Sequence, residues 1–518
     1  TVDEDDALDA STWYADTDGD GYGDSSSSTT SCDQPTGYVT DTTDCDDGDI
    51  TTYPGATEVC GDGVYNDCNA SSTDECGPYG GLTLDDTTTA FFGDGYSDYA
   101  GYSVGGGDID GDGSDDVLVV ARYGATYGQV GVFYGPVSGD YDMADADLEI
   151  EGIYPSHDSN DRHWVTQARL VGDVTDGGGN DLVVAAQGDG AVYVYEGPVT
   201  GGSLDLDDAD FYIDVSSTNY GNVGDELVSL DLNDDGYEDL VMSAPGYDVY
   251  GDEWYTNTYN WGRVYVAYGP LSSNKTTFDP DDGDLILTGE AERATAGESM
   301  ATGDFDGDGL DELVVGAPTD TGGTWQVAVL EDHAGSDSVK LTSDAEHYWQ
   351  GSGNYTGSDL GVGDQNGDGY DDLVVGARGA NTAYIINGPL TGASSTMTSD
   401  ATITGPSGGT LGDGVDLGGD IDSDGYADLV ASSYKTSTYK GVTYFLAGPL
   451  TGTTSVSSAD GTWTGDSNYD YSGYWQRLSY AGDADGDGYD DVLVGATNVD
   501  ESTTNAGAAW LILGGPDY

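Results

Sequence analysis

The chain has 518 residues, of which 98 are Asp or Glu and only 11 are Lys or Arg, for a formal charge of −87 at pH 7. Such a balance leaves no basic surface to hold phosphate and excludes nucleic acid as a partner. No apolar stretch reaches the length of a membrane span.

Apolar residues make up 36% of the chain, enough for a core. The acids are interleaved with β-type runs such as "DLVVGA" and "VYVAYGP", which argues against a disordered acidic tail. A charge of this size implies bound cations that neutralise part of it, or salty water that screens it. The sequence opens on Thr1 without a signal peptide, so the expectation is that any leader has been removed or lies outside this sequence.

In chain order, residues 1–12 form an acidic lead and 13–78 an Asp/Cys-rich module, with a long repetitive region over 79–518. The module carries "DTDGDGYGD", with Asp16, Asp18, Asp20 and Asp24 at positions 1, 3, 5 and 9 and the Tyr22 carbonyl at position 7. A second ion site is expected at Asp44, Asp46 and Asp49. The stretches "DGDGYG", "DCDD", "PGATEVC" and "DGVYNDCN" resemble the metal-binding motif of bacterial surface proteins of the MopE type. So little apolar content requires stapling by disulfides and cations.

All five cysteines lie between Cys32 and Cys76, which suggests an oxidising compartment and secretion. Sequence alone leaves connectivity open. Cys32–Cys45 and Cys60–Cys68 are the expected bridges. Cys76 is then left for a different pairing, a partner residue elsewhere or another subunit. A Cys-bound zinc is the runner-up, but no pair of CxxC motifs supports it.

From residue 108 onward one pattern recurs seven times. The complete copies place Asp108, Asp110, Asp112 and Asp116; Asp231, Asn233, Asp235 and Asp239; Asp304, Asp306, Asp308 and Glu312; Asp364, Asn366, Asp368 and Asp372; Asp420, Asp422, Asp424 and Asp428; and Asp483, Asp485, Asp487 and Asp491 at positions 1, 3, 5 and 9. The second copy in order, "DVTDGGGND", keeps Asp173 and Asp181 but has Thr175 and Gly177 at positions 3 and 5.

Each loop runs into an apolar strand, then usually a second strand closing on Gly-Pro, as at Pro136, Pro198, Pro270, Pro389, Pro449 and Pro516. The fourth copy, "TWQVAVLED", lacks the Gly-Pro. A shorter strand follows, giving about four strands per unit and no helical periodicity. Seven such units predict an all-β, seven-bladed β-propeller. The last unit lacks an outer strand, and "GGLTLDD" at 80–86 is expected to supply it as an N-terminal latch.

Phe92–Gly93, Gly316–Ala317–Pro318 and Ser243–Ala244–Pro245 resemble the FG-GAP repeats of integrin α-subunit propellers and many bacterial surface proteins; Gly376–Ala377–Arg378 and Gly495–Ala496–Thr497 are looser echoes. The resemblance covers residues 80–518 and implies a calcium-binding propeller. It does not select among adhesins, lectins and enzyme-attached modules.

Calcium takes roughly six to eight oxygen ligands in loose geometry, and Asp supplies them on the shortest charged side chain. Positions 1, 3 and 5 turn side chains inward, Gly at 6 permits the turn, and position 7 offers a carbonyl, here from Ser114, Tyr237, Leu310, Tyr370, Tyr426 and Tyr489. Position 12 is apolar, so the acid at position 9 must close the shell. The expectation is about seven calcium ions, with the second copy empty.

None of His157, His163, His333 and His347 lies in a catalytic motif, and no enzyme is expected. Trp510 and Phe445 read as packing between blades. Trp254, Tyr255, Tyr259 and Trp261 are candidates for stacking on sugars or a protein. Sequons stand at Asn69, Asn274 and Asn354.

Together these features predict a non-catalytic secreted or cell-surface protein. Its role would be adhesion, surface structure or assembly, with a surface protein, a glycan or its own copies as partner. A carbohydrate-binding lectin is the alternative.

Overall fold

The computed structural model describes residues 10–48, 50, 52–54, 68, 80–84, 87, 89–125, 127–153, 164–187, 190–215, 222–247, 260–271, 276–277, 285–289, 294–318, 325–330, 338–340, 345, 347–351, 355–390, 398–474, 477–500 and 504–515. The chain falls into two compact units, one within the first 79 residues and one spanning Gly80–Gly514.

The smaller unit holds a three-stranded antiparallel sheet, Asp24–Ser31 beside Ser11–Ala15 beside Tyr38–Val39. Trp13 Nε1 donates to the Ser31 carbonyl at 3.0 Å, and the Tyr22 and Tyr53 rings stack 5.3 Å apart. Its disulfide joins Cys45 to Cys68. Both expected bridges, Cys32–Cys45 and Cys60–Cys68, are therefore corrected. A bridge needs Cα atoms about 5–6 Å apart. The fold brings residue 68 to 5.6 Å from residue 45 across a separation of 23 residues, so nearness in sequence does not select the partner. Cys32 is exposed, and Cys60 and Cys76 lie outside the described residues.

Among the described residues the larger unit has seven sheets of four or five strands. The first runs outward through Ser103–Gly107, Asp116–Ala121, Gln129–Phe133 and Leu148–Glu151, all antiparallel. It then gains a fifth strand, Gly202–Asp205, in parallel from the next unit. The innermost strands Ser103–Gly107, Gln167–Val171, Leu227–Leu230, Ser299–Gly303, Thr356–Gly363, Val415–Gly419 and Leu478–Gly482 each pack on the next, and the last packs on the first. This cycle of sheets is the arrangement of a β-propeller, and it shields strand edges.

The continuous apolar runs follow from burial on both faces of each sheet. In Asp116–Ala121, Leu118 and Val120 join Leu182 and Val184 of the second sheet in one cluster. Val117, Val119 and Ala121 join Leu493 and Leu511 of the seventh in another. A strand covered on both sides has no polar face to show. Trp510 and Phe445 are both buried, as expected.

The N-terminal latch exists, but its strand is corrected. Thr89–Phe92 pairs antiparallel with Ala508–Ile512 and completes the seventh sheet. The expected segment, Gly80–Thr83, instead lies parallel to Gly461–Thr464 as the fifth strand of the sixth sheet. Burial explains the choice: Phe91 is fully buried, with its ring 4.7 Å from Phe133 and 5.4 Å from Tyr141, whereas Gly80–Thr83 offers only Leu82 as a large apolar side chain. Phe91→Ala should cost about 3–5 kcal/mol and lower the urea midpoint accordingly. Tyr96→Ala, at a side chain 75% exposed, should leave the midpoint unchanged.

Candidate metal centres

Each Asp-rich loop joins an innermost strand to its neighbour, so the seven loops share one face of the ring. In the first copy Asp108 accepts from Gly111 N at 2.7 Å and, through its other oxygen, from Gly113 N at 3.0 Å. Asp110 Oδ1 accepts from Asp112 N, and Asp112 Oδ1 from Ser114 N. Backbone donors thereby aim the carboxylates at one point. Oxygens of Asp108, Asp110 and Asp116 converge within 4.8 Å; so do those of Asp304, Asp306, Asp308 and Glu312, and those of Asp420, Asp422 and Asp428. The copies starting at Asp231, Asp364 and Asp483 hold the position-1 acid by the same Gly N–H at position 6, 2.7, 2.8 and 3.0 Å away.

The acid at position 9 does more than the sequence reading gave it. Asp116 Oδ2 accepts from Ile109 N at 2.9 Å, while Oδ1 accepts from Gly135 N, the glycine of the first Gly-Pro, at 2.9 Å. Gly197, Gly269, Gly388, Gly448 and Gly514 repeat the second bond to Asp181, Asp239, Asp372, Asp428 and Asp491. The fourth copy has no Gly-Pro, and there the acid is Glu312, which accepts from Phe305 N at 2.7 Å. Each carboxylate oxygen has two lone pairs, so clamping the backbone leaves capacity for a cation.

Two links between sheets were missed. Val137 N donates to Ala484 O, Val199 N to Ile109 O, Leu271 N to Val174 O and Leu390 N to Phe305 O, so after four of the Gly-Pro pairs the next residue docks on the previous loop's backbone, and after Pro449 Leu450 N donates to Gln365 Oε1 at 2.6 Å. The acid at position 8 also reaches back: Asp115 accepts from Asp483 N, Asp371 from Asp304 N and Asp490 from Asp420 N, at 2.8–3.0 Å. The doubled acids in "SDDV", "YDDL" and "YDDV" were the available signal.

In the second copy Thr175 Oγ1 donates to Asp181 Oδ1 at 3.2 Å, and Gly177 has no side chain to offer. A neutral hydroxyl replaces the carboxylate and is satisfied internally. Asn233 and Asn366, at position 3 of their loops, each direct Nδ2 toward the position-9 acid, 3.5 and 3.3 Å away.

In the N-terminal unit, oxygens of Asp16, Asp18 and Asp20 also converge. Asp24, which like the other position-9 acids starts a strand, is held differently: its carboxylate is taken by Ser26 N and Oγ at 2.7 and 2.6 Å. Burial, with the negative charge of Asp20 and Asp18 adding to it, pushes the Asp44 carboxyl up. Asp46 is exposed and accepts from Gly48 N, and Asp49 lies outside the described residues. Asp47, not singled out from the sequence, accepts from both Thr17 N and Oγ1.

The loops fit a cation by a direct observation: Asp18 Oδ2, Asp20 Oδ2, Asp44 Oδ2 and Asp483 Oδ1 are buried with no hydrogen-bond partner. Buried acceptors of this kind are costly unless a positive charge meets them. Burial also pushes the position-9 carboxyls up, Asp116 and Asp181 to about 6, Asp239 and Asp372 to about 7, and Glu312, Asp428 and Asp491 to about 8.

The opposite face gathers arginine and tyrosine. Arg122 lies 4.6 Å over the Tyr102 ring, Arg477 lies 4.9 Å from the same ring, and Arg378 covers Tyr355 while pairing with Glu298 at 2.8 Å. Nearby, Tyr434, Tyr439, Tyr469, Tyr471 and Tyr474 form a contiguous group, with Tyr469 53% exposed. Trp261 is half-buried; Trp254, Tyr255 and Tyr259 lie outside the described residues, as do the three sequons. His347 is buried in a strand, and His157, His163 and His333 are not described. Among the described residues no helix is long and apolar enough to cross a membrane.

Comparison with known proteins agrees with this geometry. The FG-GAP repeat model matches residues 223–266, 296–330, 356–394 and 479–512, and the model described as "Putative metal-binding motif", of the MopE type, matches 44–75. The chain is 36% identical to phosphatidylinositol-glycan-specific phospholipase D of Mus musculus over 31% of its own length and 19% of the relative's. It is 33% identical to integrin alpha-5 of Xenopus laevis over 34% of its own length and 16% of the relative's. For integrin alpha-V of Gallus gallus the identity is 30%, over 39% and 20%. The chain thus spans a fifth or less of these relatives.

Two outcomes follow. A carboxyl raised in the fold stabilises it below the unfolded value near 4, and that contribution is lost as pH rises through 6–8. In chelator, the melting temperature should therefore fall from pH 5 to pH 8; added calcium should restore it strongly at pH 8 and weakly at pH 5. Separately, Thr175→Asp combined with Gly177→Asp should add one bound metal ion per chain, counted by inductively coupled plasma mass spectrometry.

Proposed function

We propose that this chain, which carries FG-GAP repeats and a metal-binding motif of the MopE type, is a calcium-stabilised propeller of the cell exterior. It acts by binding and assembly rather than by catalysis. The observation that carries this reading is the repeated convergence of aimed, unneutralised carboxylates in the loops that link neighbouring sheets. Calcium suits such sites because it accepts many oxygens in loose geometry, where magnesium demands a near-ideal octahedron and keeps its waters. With calcium at ~100 times its dissociation constant, each site adds roughly 2.7 kcal/mol if it forms only in the fold.

The Cys45–Cys68 bridge supports an oxidising, extracellular setting, where calcium is plentiful. A surface this acidic keeps single particles apart and favours polar or cation-bridged partners: a surface protein, a glycan or another copy. The lectin reading has one observation of its own, the exposed tyrosine group around Tyr439 and Tyr469, whose rings offer stacking platforms for sugars.

Light scattering and negative-stain imaging of the chain, with and without calcium, test the assembly role. Calcium-dependent polymers or binding to cell-surface protein are expected, and a lone inert particle under all conditions would contradict it. Glycan-array binding that is lost in Tyr439→Ala and Tyr469→Ala, with the melting temperature unchanged, would instead establish the lectin.

A further inference from the structure

The innermost strands of all seven sheets enclose an axial cavity of about 430 Å³, remote in role from the cation loops. Its wall carries three carboxylates, Glu226, Asp359 and Asp416, against one guanidinium, Arg169. Arg169 is already committed: Nη1 donates to Ser103 Oγ at 2.9 Å and to the Val104 carbonyl at 2.8 Å. Three carboxyls face one guanidinium that is already committed, so the wall is acidic, although burial pushes Asp359 and Asp416 up as well.

The carboxylates are held in different ways. Asp416 accepts from Leu417 N and Gly418 N through one oxygen and from Tyr480 N through the other. Asp359 Oδ2 accepts from Val415 N at 2.7 Å. Glu226 is 6% exposed, lines the cavity, and has no hydrogen-bond partner for Oε1. A buried acceptor left unmatched costs free energy unless something in the cavity meets it. Burial pushes the Glu226 carboxyl up to about 7, with Asp225 adding to the effect and Arg169 opposing it.

A hard divalent ion would need roughly six to eight converging oxygens. Here most of the Asp416 and Asp359 bonding is spent on backbone N–H groups. The remaining wall is partly aliphatic, with Leu170, Met300 and Leu360 among the lining residues. Two charges separated by methylene groups match that wall better than a metal does. We propose that the axial cavity binds a small alkyl diammonium ion, with Glu226 as the principal counter-ion and the aliphatic wall packing on its stem.

The test is isothermal titration of the full chain with 1,4-diaminobutane at pH 8, in saturating calcium and 0.5 M sodium chloride, so that loops are filled and surface charge is screened. The expected result is saturable binding of one equivalent, at least tenfold weaker in Glu226→Gln. The alcohol analogue 1,4-butanediol should not bind. Should Glu226→Gln fail to fold, Glu226→Asp, which withdraws the same carboxylate by one methylene, carries the comparison. Non-saturable heat, undiminished binding in the folded variants, or no binding to the unaltered chain would each overturn the proposal.

Discussion

The rest of the fold depends on the carboxylate at position 9 of each loop. One of its oxygens holds the loop closed through the N–H at position 2; the other, in six of the seven sheets, holds the glycine that ends the third strand. Those two bonds tie the innermost strand, the second strand and the third into one unit. They also seat the residue after Gly-Pro where its own N–H reaches the neighbouring loop. A single buried acid therefore couples local loop geometry to contact around the ring. Because it is buried among other acids, its ionised form needs a compensating charge, which a bound cation would supply on the proposed reading.

Much of this was legible in the sequence. The Asp spacing, the two-sided apolar strands and the Gly-Pro signals all express local backbone requirements, and such requirements leave residue patterns. The fourth copy is instructive: it loses Gly-Pro and at the same time carries Glu312 instead of Asp. In the other six copies the position-9 Asp accepts from the glycine that the fourth copy lacks.

What was not legible depends on contacts between distant segments. Thr89–Phe92 rather than Gly80–Thr83 closes the seventh sheet because Phe91 fills a space that only the assembled ring creates. The Cys45–Cys68 bridge belongs to the same class. Asp24 looks equivalent to Asp116 by position, yet Ser26, two residues on, takes its oxygens, a local competition that the Asp spacing does not reveal. The axial carboxylates were hidden for another reason: in a chain with 98 acids, no single Glu or Asp stands out until its burial is known.

The charge of −87 also takes on a structural meaning. On the proposed reading, stability becomes a function of the surrounding cation concentration. Native mass spectrometry of the chain equilibrated in millimolar calcium tests this most directly. About seven bound ions are predicted, lost together with the compact charge-state distribution on chelation. A compact chain with no bound metal, unaffected by chelator, would contradict it.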